Sequence, residues 1–297
     1  MKLAFQNFGS LLLLGTALCG AQTTNGAASD KPLPEIPALM HEVEAHEKTS
    51  EALVKDYLYH SFAIEHALDS HGAVKKSQTE DADIFYVAGV RIERLTKKNG
   101  TDLSPDEQKK ESQRIDKEIA KAKEKQAKPD DEDRDVVTVS RFLELGSFSK
   151  PRRVLIDGRD TIAVDFTGNP KAKTRTRFEA AIRDMAGTIW VDEQDRALRK
   201  IDGHFVNTFK VGAGLLADIK KDSSFEAEWT KINGEVWLPS VASGKGSIRV
   251  LLLLNFNGTL EVQNSNYRKF KATATILPSL GTVEPETPEP VSPNPPQ

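Results

Sequence analysis

The residues best suited to chemistry are scattered along the chain. "HEVEAH" (His41 to His46) sets two histidines around glutamates, the residue types of a zinc-protease helix. Such a helix needs its histidines four apart; these stand five apart, about 140° around a helix, so one ion cannot take both. They are expected on the polar face of a helix. His60 and His66 share a strand face by parity, with no carboxylate cluster beside them in sequence. "SGKGS" (Ser243 to Ser247) has glycines but not the Gly-x-Ser-x-Gly elbow of a serine nucleophile. Gly212 and Gly214 in "KVGAGLLADIKK" lack the Lys-Ser/Thr of a phosphate loop and the dinucleotide fingerprint. Nothing singles out a glycosidase-type pair among the 44 acidic residues. No catalytic residue, metal ligand or cofactor site is therefore expected, and the chain is not read as an enzyme. Arg152, Arg153, Arg159, Lys171, Lys173, Arg175 and Arg177 form a basic region that could steer an acidic head group or partner. The plainer reading of that region is a solvated sheet face.

The elements that must position these groups are mostly strands. "YLYHSFAIEHALD" (Tyr57 to Asp69) alternates, "SHG" turns, and "IFYVAGVRIERL" (Ile84 to Leu95) continues a meander. Asp157-Gly158, Asn233-Gly234 and Asn257-Gly258 each sit between apolar runs and predict tight hairpins. "AGTIWVDEQDRALRKIDGHF" (Ala186 to Phe205) reads as strand, turn, strand, and as wall rather than active site. Helices are predicted over residues 36 to 54 and over 176 to 187, the latter closed by Gly187. A short helix is expected within Val136 to Leu145. From Leu103 to Gln126, Ser104, Pro105 and Glu107 form a capping box ahead of a thin apolar stripe of Ile115, Ile119 and Ala122. That stripe predicts a solvated helix projecting from the sheet. The glycine-bearing stretch from Lys210 to Lys221 is expected to be a loop or short helix.

The ends are of another character. Lys2, an apolar run from Phe8 to Leu18 and small residues to Ala21 predict a secretory signal peptide over 1 to 21. Lipid anchoring through Cys19 is not expected, because Leu18 stands where a lipoprotein signal needs a small residue. With Cys19 removed, no thiol remains. Residues 22 to 34 form an expected leader, and the proline-rich segment 278 to 297 an expected disordered tail. Between them, 35 to 277 reads as one domain with a charged helical insertion at 104 to 127. No later apolar run reaches the length of a transmembrane helix. A net charge of −3 argues neither for nucleic acid as a partner nor for strong attraction to an anionic membrane.

"GTIWVDEQDRALRKIDG", preceded by an amphipathic helix and followed by "SSFEAEWTKINGEVWLPS", resembles the outer-membrane lipoprotein-sorting (LolA-like) superfamily. A closer resemblance, over most of residues 50 to 277, is to uncharacterised exported bacterial proteins sharing "PRRVLIDGRDTIAVDF" and "GTIWVDE". The resemblance implies an α+β fold: a strongly curved antiparallel sheet, an unclosed β-barrel, with helices across its concave face. It further implies a periplasmic carrier whose cavity accepts a lipid or lipoprotein acyl chain. Cavity-lining candidates are Phe62, Ile64, Phe178, Ile182, Trp190, Phe205, Leu215, Leu216, Phe225, Trp229 and Trp237. The alternative is a cell-envelope interaction module with a dry core, meeting an envelope protein through sheet edge, charged helix and tail. Deleting residues 279 to 297 is expected to shift Tm by no more than about 2 °C. A fall of several degrees in a thermal melt would show that the tail packs on the domain.

Overall fold

A computed structural model describes residues 30–127, 139–211, 217–250 and 254–269. The segments expected as signal peptide, tail and most of the leader, and the linker after the charged helix, lie outside the described residues, as do Leu215 and Leu216. Among the described residues, four helices and thirteen strands follow one another. They run α1 (Ile36–Lys55), β1 (Tyr57–Leu68), β2 (Val74–Val87), β3 (Val90–Lys98), β4 (Thr101–Asp102), α2 (Pro105–Ala127) and α3 (Val139–Leu145). Then come β5 (Gly146–Ile156), β6 (Arg159–Gly168), α4 (Arg177–Arg183), β7 (Met185–Asp192), β8 (Ala197–Phe205), β9 (Phe209–Val211), β10 (Ala217–Ile219), β11 (Ser224–Ile232), β12 (Val236–Val250) and β13 (Leu254–Lys269). They build a single antiparallel sheet in the order β4-β3-β2-β1-β13-β12-β11-β8-β7-β6-β5. β4 and β5 are not joined, so the sheet is open. The short pair β9–β10 attaches to the far part of β12.

Turn chemistry explains most hairpins. Asp157-Gly158 (φ 46° and 74°) and Asn233-Gly234 (φ 52° and 71°) take the doubly left-handed turn their sequences predict. Ala88-Gly89 splits the run Ile84 to Leu95 into β2 and β3 in the same way (φ 51° and 76°). Asn257-Gly258 does not turn; it lies inside β13, opposite Ser247 and Gly246. Its glycine serves close approach, since a Cβ there would run into the His66 carbonyl oxygen. Asn257 Nδ2 donates instead to the Leu68 and Asp69 carbonyls at 3.3 and 3.0 Å, tying β13 to the end of β1.

Gly187 corrects a second expectation. The helix predicted over 176 to 187 ends at Arg183, with Thr176 Oγ1 accepting from Glu179 N–H at its start. Met185 and Gly187 already belong to β7. A Cβ on Gly187 would collide with the Asp202 carbonyl oxygen on β8, so this glycine permits strand contact rather than capping a helix. The stretch from Lys210 to Lys221 likewise contributes two short strands, β9 and β10.

The helices divide between the two faces. Leu39, Met40 and Val43 of α1 pack on Ile162 and Val164 of β6 and Ile189 and Val191 of β7, with Phe142 and Leu143 of α3 beside them. Farther along α1, Leu53 and Val54 cover Tyr57, Val236 and Leu238. Ala180 and Ala181 of α4 join Phe205, Phe209, Ile219 and Met185. Strand alternation puts all these sheet residues on one face, here called inner. α2 packs on the other face, where Ile115 and Ile119 meet Leu58, Phe85, Val87 and Ile92.

α2 is therefore neither projecting nor solvated along its apolar side; Ile115 is 2% exposed. Its polar residues work too. Glu111 Oε1 accepts from the Leu95 N–H at 2.8 Å, and Arg114 donates to the Glu93 carbonyl, so α2 satisfies edge groups of β3 that no strand pairs. Ile115→Ala is expected to destabilise the fold by about 2–4 kcal/mol. A change near zero in chemical denaturation would return α2 to the solvated, projecting role.

Candidate functional site

The inner face changes character across the sheet. Under α1 and α3 it is bulky and buried. Between β8 and β1, away from Tyr57, Val236 and Leu238, it becomes smaller. One cross-strand row runs Ile201, Ala227, Ala242, Val262, Ala63 from β8 to β1. The next row toward the Ser224 end of β11 runs Gly203, Phe225, Gly244, Leu260, Glu65 over the same five strands. Gly246 and Gly258 pair in the row beyond. Glycine and alanine leave the backbone floor lower than the surroundings, and Phe225 lies flat over Gly203, where a Cβ would come within 2.6 Å of its ring. Ala63, Ala227, Ala242 and Leu260 are partly exposed and belong to none of the apolar clusters described above. Register and burial thus outline a shallow trough about 19 Å wide across five strands, apolar except for Glu65 at its β1 end. It ends at β2 in Glu80, opposite Ala63, whose carboxyl burial pushes above its ordinary value despite the charge of Lys98.

Of the eleven lining candidates, Phe205 and Phe225 face this side, and Ile182 sits on α4 above it. Phe178 falls in the first turn of α4, its side chain outside the described residues. Five others take the opposite, outer face and cannot line the inner trough. Phe62 and Ile64 alternate with Ala63, and Trp190 alternates with Ile189 and Val191. Trp229 and Trp237 pair with Pro239 and Lys231, out of phase with the α1-facing Val236 and Leu238. Lys200 Nζ lies 5.6 Å from the centre of the Trp190 ring and reaches Glu226 and Glu228 at 2.5 and 2.8 Å. Trp190 is thus wall, clamped from outside.

Trp237 is wall of a different kind. Its Nε1 donates to Asp195 Oδ2 at 2.9 Å, and the guanidiniums of Arg199 and Arg159 lie 5.5 and 5.9 Å from its ring centre. Arg159 forks onto the fully buried Asp192 at 2.5 and 2.7 Å, and Lys231 reaches Asp195 at 2.7 Å. Burial pushes the Asp195 carboxyl up. The hydrogen bonds from Lys231 and Trp237, with the charges of Arg159 and Lys231, outweigh that and hold it below the usual range. These ion pairs and hydrogen bonds close one end of the sheet.

His41, His46 and His60 are likewise engaged in local pairs. His46 Nε2 lies 3.2 Å from Ser50 Oγ, His41 lies 3.7 Å from Glu44, and His60 lies 3.1 and 3.7 Å from Asp81 and Asp83. Among the described residues, no three His, Cys, Asp or Glu side chains are placed to hold a metal ion. An open cleft of about 300 Å³ lies over β8 and β11, with Asp202, His204, Ser224, Glu226 and Ser243 on the outer face around the Gly203 and Phe225 backbone. Register alone brings these residues together, so sequence reading misses them. His204 opposes Ser224, but among the described residues no hydrogen bond links His204 to Ser224 or Asp202. Asp202 Oδ1 instead accepts the Thr188 N–H at 3.2 Å. The cleft is polar and holds no assembled relay.

No family model matches the chain, and no curated protein does. Three solved structures are similar to it over most of its length. A domain named as an outer membrane lipoprotein-sorting protein from Vibrio parahaemolyticus shares 9% identity at TM-score 0.32, covering 79% of this chain and 95% of that one. A LolA superfamily protein from Nitrosomonas europaea shares 11% at TM-score 0.28, covering 79% and 93%. A DUF1329 family protein from Desulfovibrio piger shares 9% at TM-score 0.28, covering 80% and 95%. Likeness at this level leaves the registers and side-chain contacts above as the ground for any functional reading.

Proposed function

We infer that the chain is an exported, non-enzymatic binder or carrier that seats the acyl chain of a lipid or lipoprotein on the inner face of a curved, unclosed sheet. The observation that carries this reading is the trough of Ala63, Ala227, Ala242, Gly244 and Leu260. It is apolar, low-floored and partly exposed while the same face is packed with large side chains under α1. Apolar surface left facing water on one part of an otherwise filled face is stabilised by an apolar ligand. A hydrocarbon chain suits it, because small residues let the methylenes approach the backbone closely and no directional contact is asked of the ligand. The periplasm is the compartment that fits the expected signal peptide. The outer face, with its ion pairs and polar cleft, takes no part.

Fluorescent fatty-acid binding and native mass spectrometry test the reading. Co-purifying acyl species and saturable uptake are expected. Ala227→Phe, which fills the trough floor, is expected to weaken uptake by about tenfold or more with little change in Tm. Trp190→Ala, on the opposite face, should leave uptake as it was. Repeated recovery of a bare chain with no uptake favours the dry interaction module. Uptake lowered by Trp190→Ala but not by Ala227→Phe would move the ligand to the other face.

A further inference from the structure

The two ends of the sheet differ in how their charges are paired. Antiparallel pairing puts the turns after Lys55, Ile156, Asp192 and Ile232 at one end, where Asp157 pairs with Arg199, Glu193 with Arg153, Asp195 with Arg159 and Lys231, and Glu235 with Lys269. At the other end lie the β6–α4 connection, with Lys171, Lys173 and Arg175, and the β10–β11 connection, with Lys220 and Lys221. All five cations are exposed. Lys171, Lys173 and Lys221 enter no ion pair among the described residues. Lys220 Nζ lies 3.2 Å from Asp218, and Arg175 lies near a Glu179 carboxylate already held by Arg141 at 2.8 Å.

Hydrogen bonds join the two connections into one surface. Arg183 Nη1 donates to the Ala172 carbonyl at 3.4 Å, Val206 N–H to the Asp184 carbonyl at 2.9 Å, and Lys221 N–H to Thr208 Oγ1 at 3.3 Å. Asp184, Asp222, Asp218 and Glu179 are the carboxylates set among these cations. Directly beneath is the cluster of Phe205, Phe209 and Ile219 with α4, which adjoins Phe225 and the trough.

We propose that this end, through Lys171, Lys173, Arg175, Lys220 and Lys221, docks on an anionic lipid bilayer and presents the adjoining end of the trough to it. Five exposed cations gathered on short, mutually bonded connections are drawn to an anionic surface within a Debye length, whereas the carboxylates at the opposite end are neutralised by their own ion pairs. The attraction turns this end toward the surface. The proposal goes beyond acyl-chain binding, because it says which end meets lipid and by what force, and it stands or falls separately.

Vesicle flotation of the full-length mature chain tests it. Binding is expected to vesicles containing roughly one-third phosphatidylglycerol, to be released by salt, and to be absent with phosphatidylcholine alone. Lys171→Glu, Lys173→Glu and Lys221→Glu combined should weaken it by about a hundredfold, with Tm and vesicle-free fatty-acid uptake unchanged. Equal binding to neutral vesicles, no binding to anionic ones, or a triple variant that binds like the parent overturns the proposal. Loss of uptake together with vesicle binding also overturns it, since the cations would then hold the head group of a bound molecule. A parent chain that docks by charge but takes up no fatty acid sustains docking and sinks the carrier reading.

Discussion

Every functional statement above depends on strand register. Along a β-strand successive side chains point to opposite faces, so a slip of one residue would exchange the trough for the ion-paired outer wall. Two kinds of feature pin the register. Left-handed pairs at Ala88-Gly89, Asp157-Gly158 and Asn233-Gly234 fix three hairpins by geometry. Glycines fix others by exclusion, since Gly187 and Gly258 sit where a neighbouring carbonyl leaves no space for a Cβ. Irregularities at Glu228/Trp229 and Trp190/Val191 then shift the phase at chosen points.

The outer face shows what a wall needs. Buried charge is tolerated only where it is paired and hydrogen-bonded, and Asp192 is bonded by the Arg159 fork while Asp195 receives Trp237 and Lys231. Aromatic rings there act as platforms for cations rather than as ligand contacts. The inner face between β8 and β1, beyond the parts that α1 and α4 cover at Tyr57, Val236, Leu238 and Phe205, follows another rule: mostly small apolar side chains. The asymmetry between the faces, more than any single residue, gives the molecule a side suited to grease.

Local signals in the sequence were sufficient for local features. The capping box at Ser104 and Glu107 forms as predicted, with Ser104 donating to Glu107 at 2.7 Å, and the limits of α1 and two of the three Asx-Gly turns follow their patterns. Misreadings arise where one residue type serves two physical ends. Gly187 and Gly258 look like a helix cap and a turn, yet both admit a passing backbone, which only the neighbouring strand reveals. Phe225 and Trp229 are an even number apart and should share a face; the irregularity between them reverses Trp229. α2 looked solvated because its apolar stripe is thin, but Ile115 and Ile119 suffice when the contact is a single hairpin. Neither the trough nor the polar cleft is written in any one segment, since each is assembled across strands distant in the chain.

An unclosed sheet has two borders, and they are handled differently. At β5 the chain places Pro151 beside Lys150 in the left-handed region (φ 49°), which interrupts the ladder from within. At β3 the chain folds a helix over the border and fills its hydrogen-bonding groups with Glu111 and Arg114. A neighbouring molecule therefore finds the Leu95 N–H and the Glu93 carbonyl already occupied, which removes part of the template that a strand border offers to another strand.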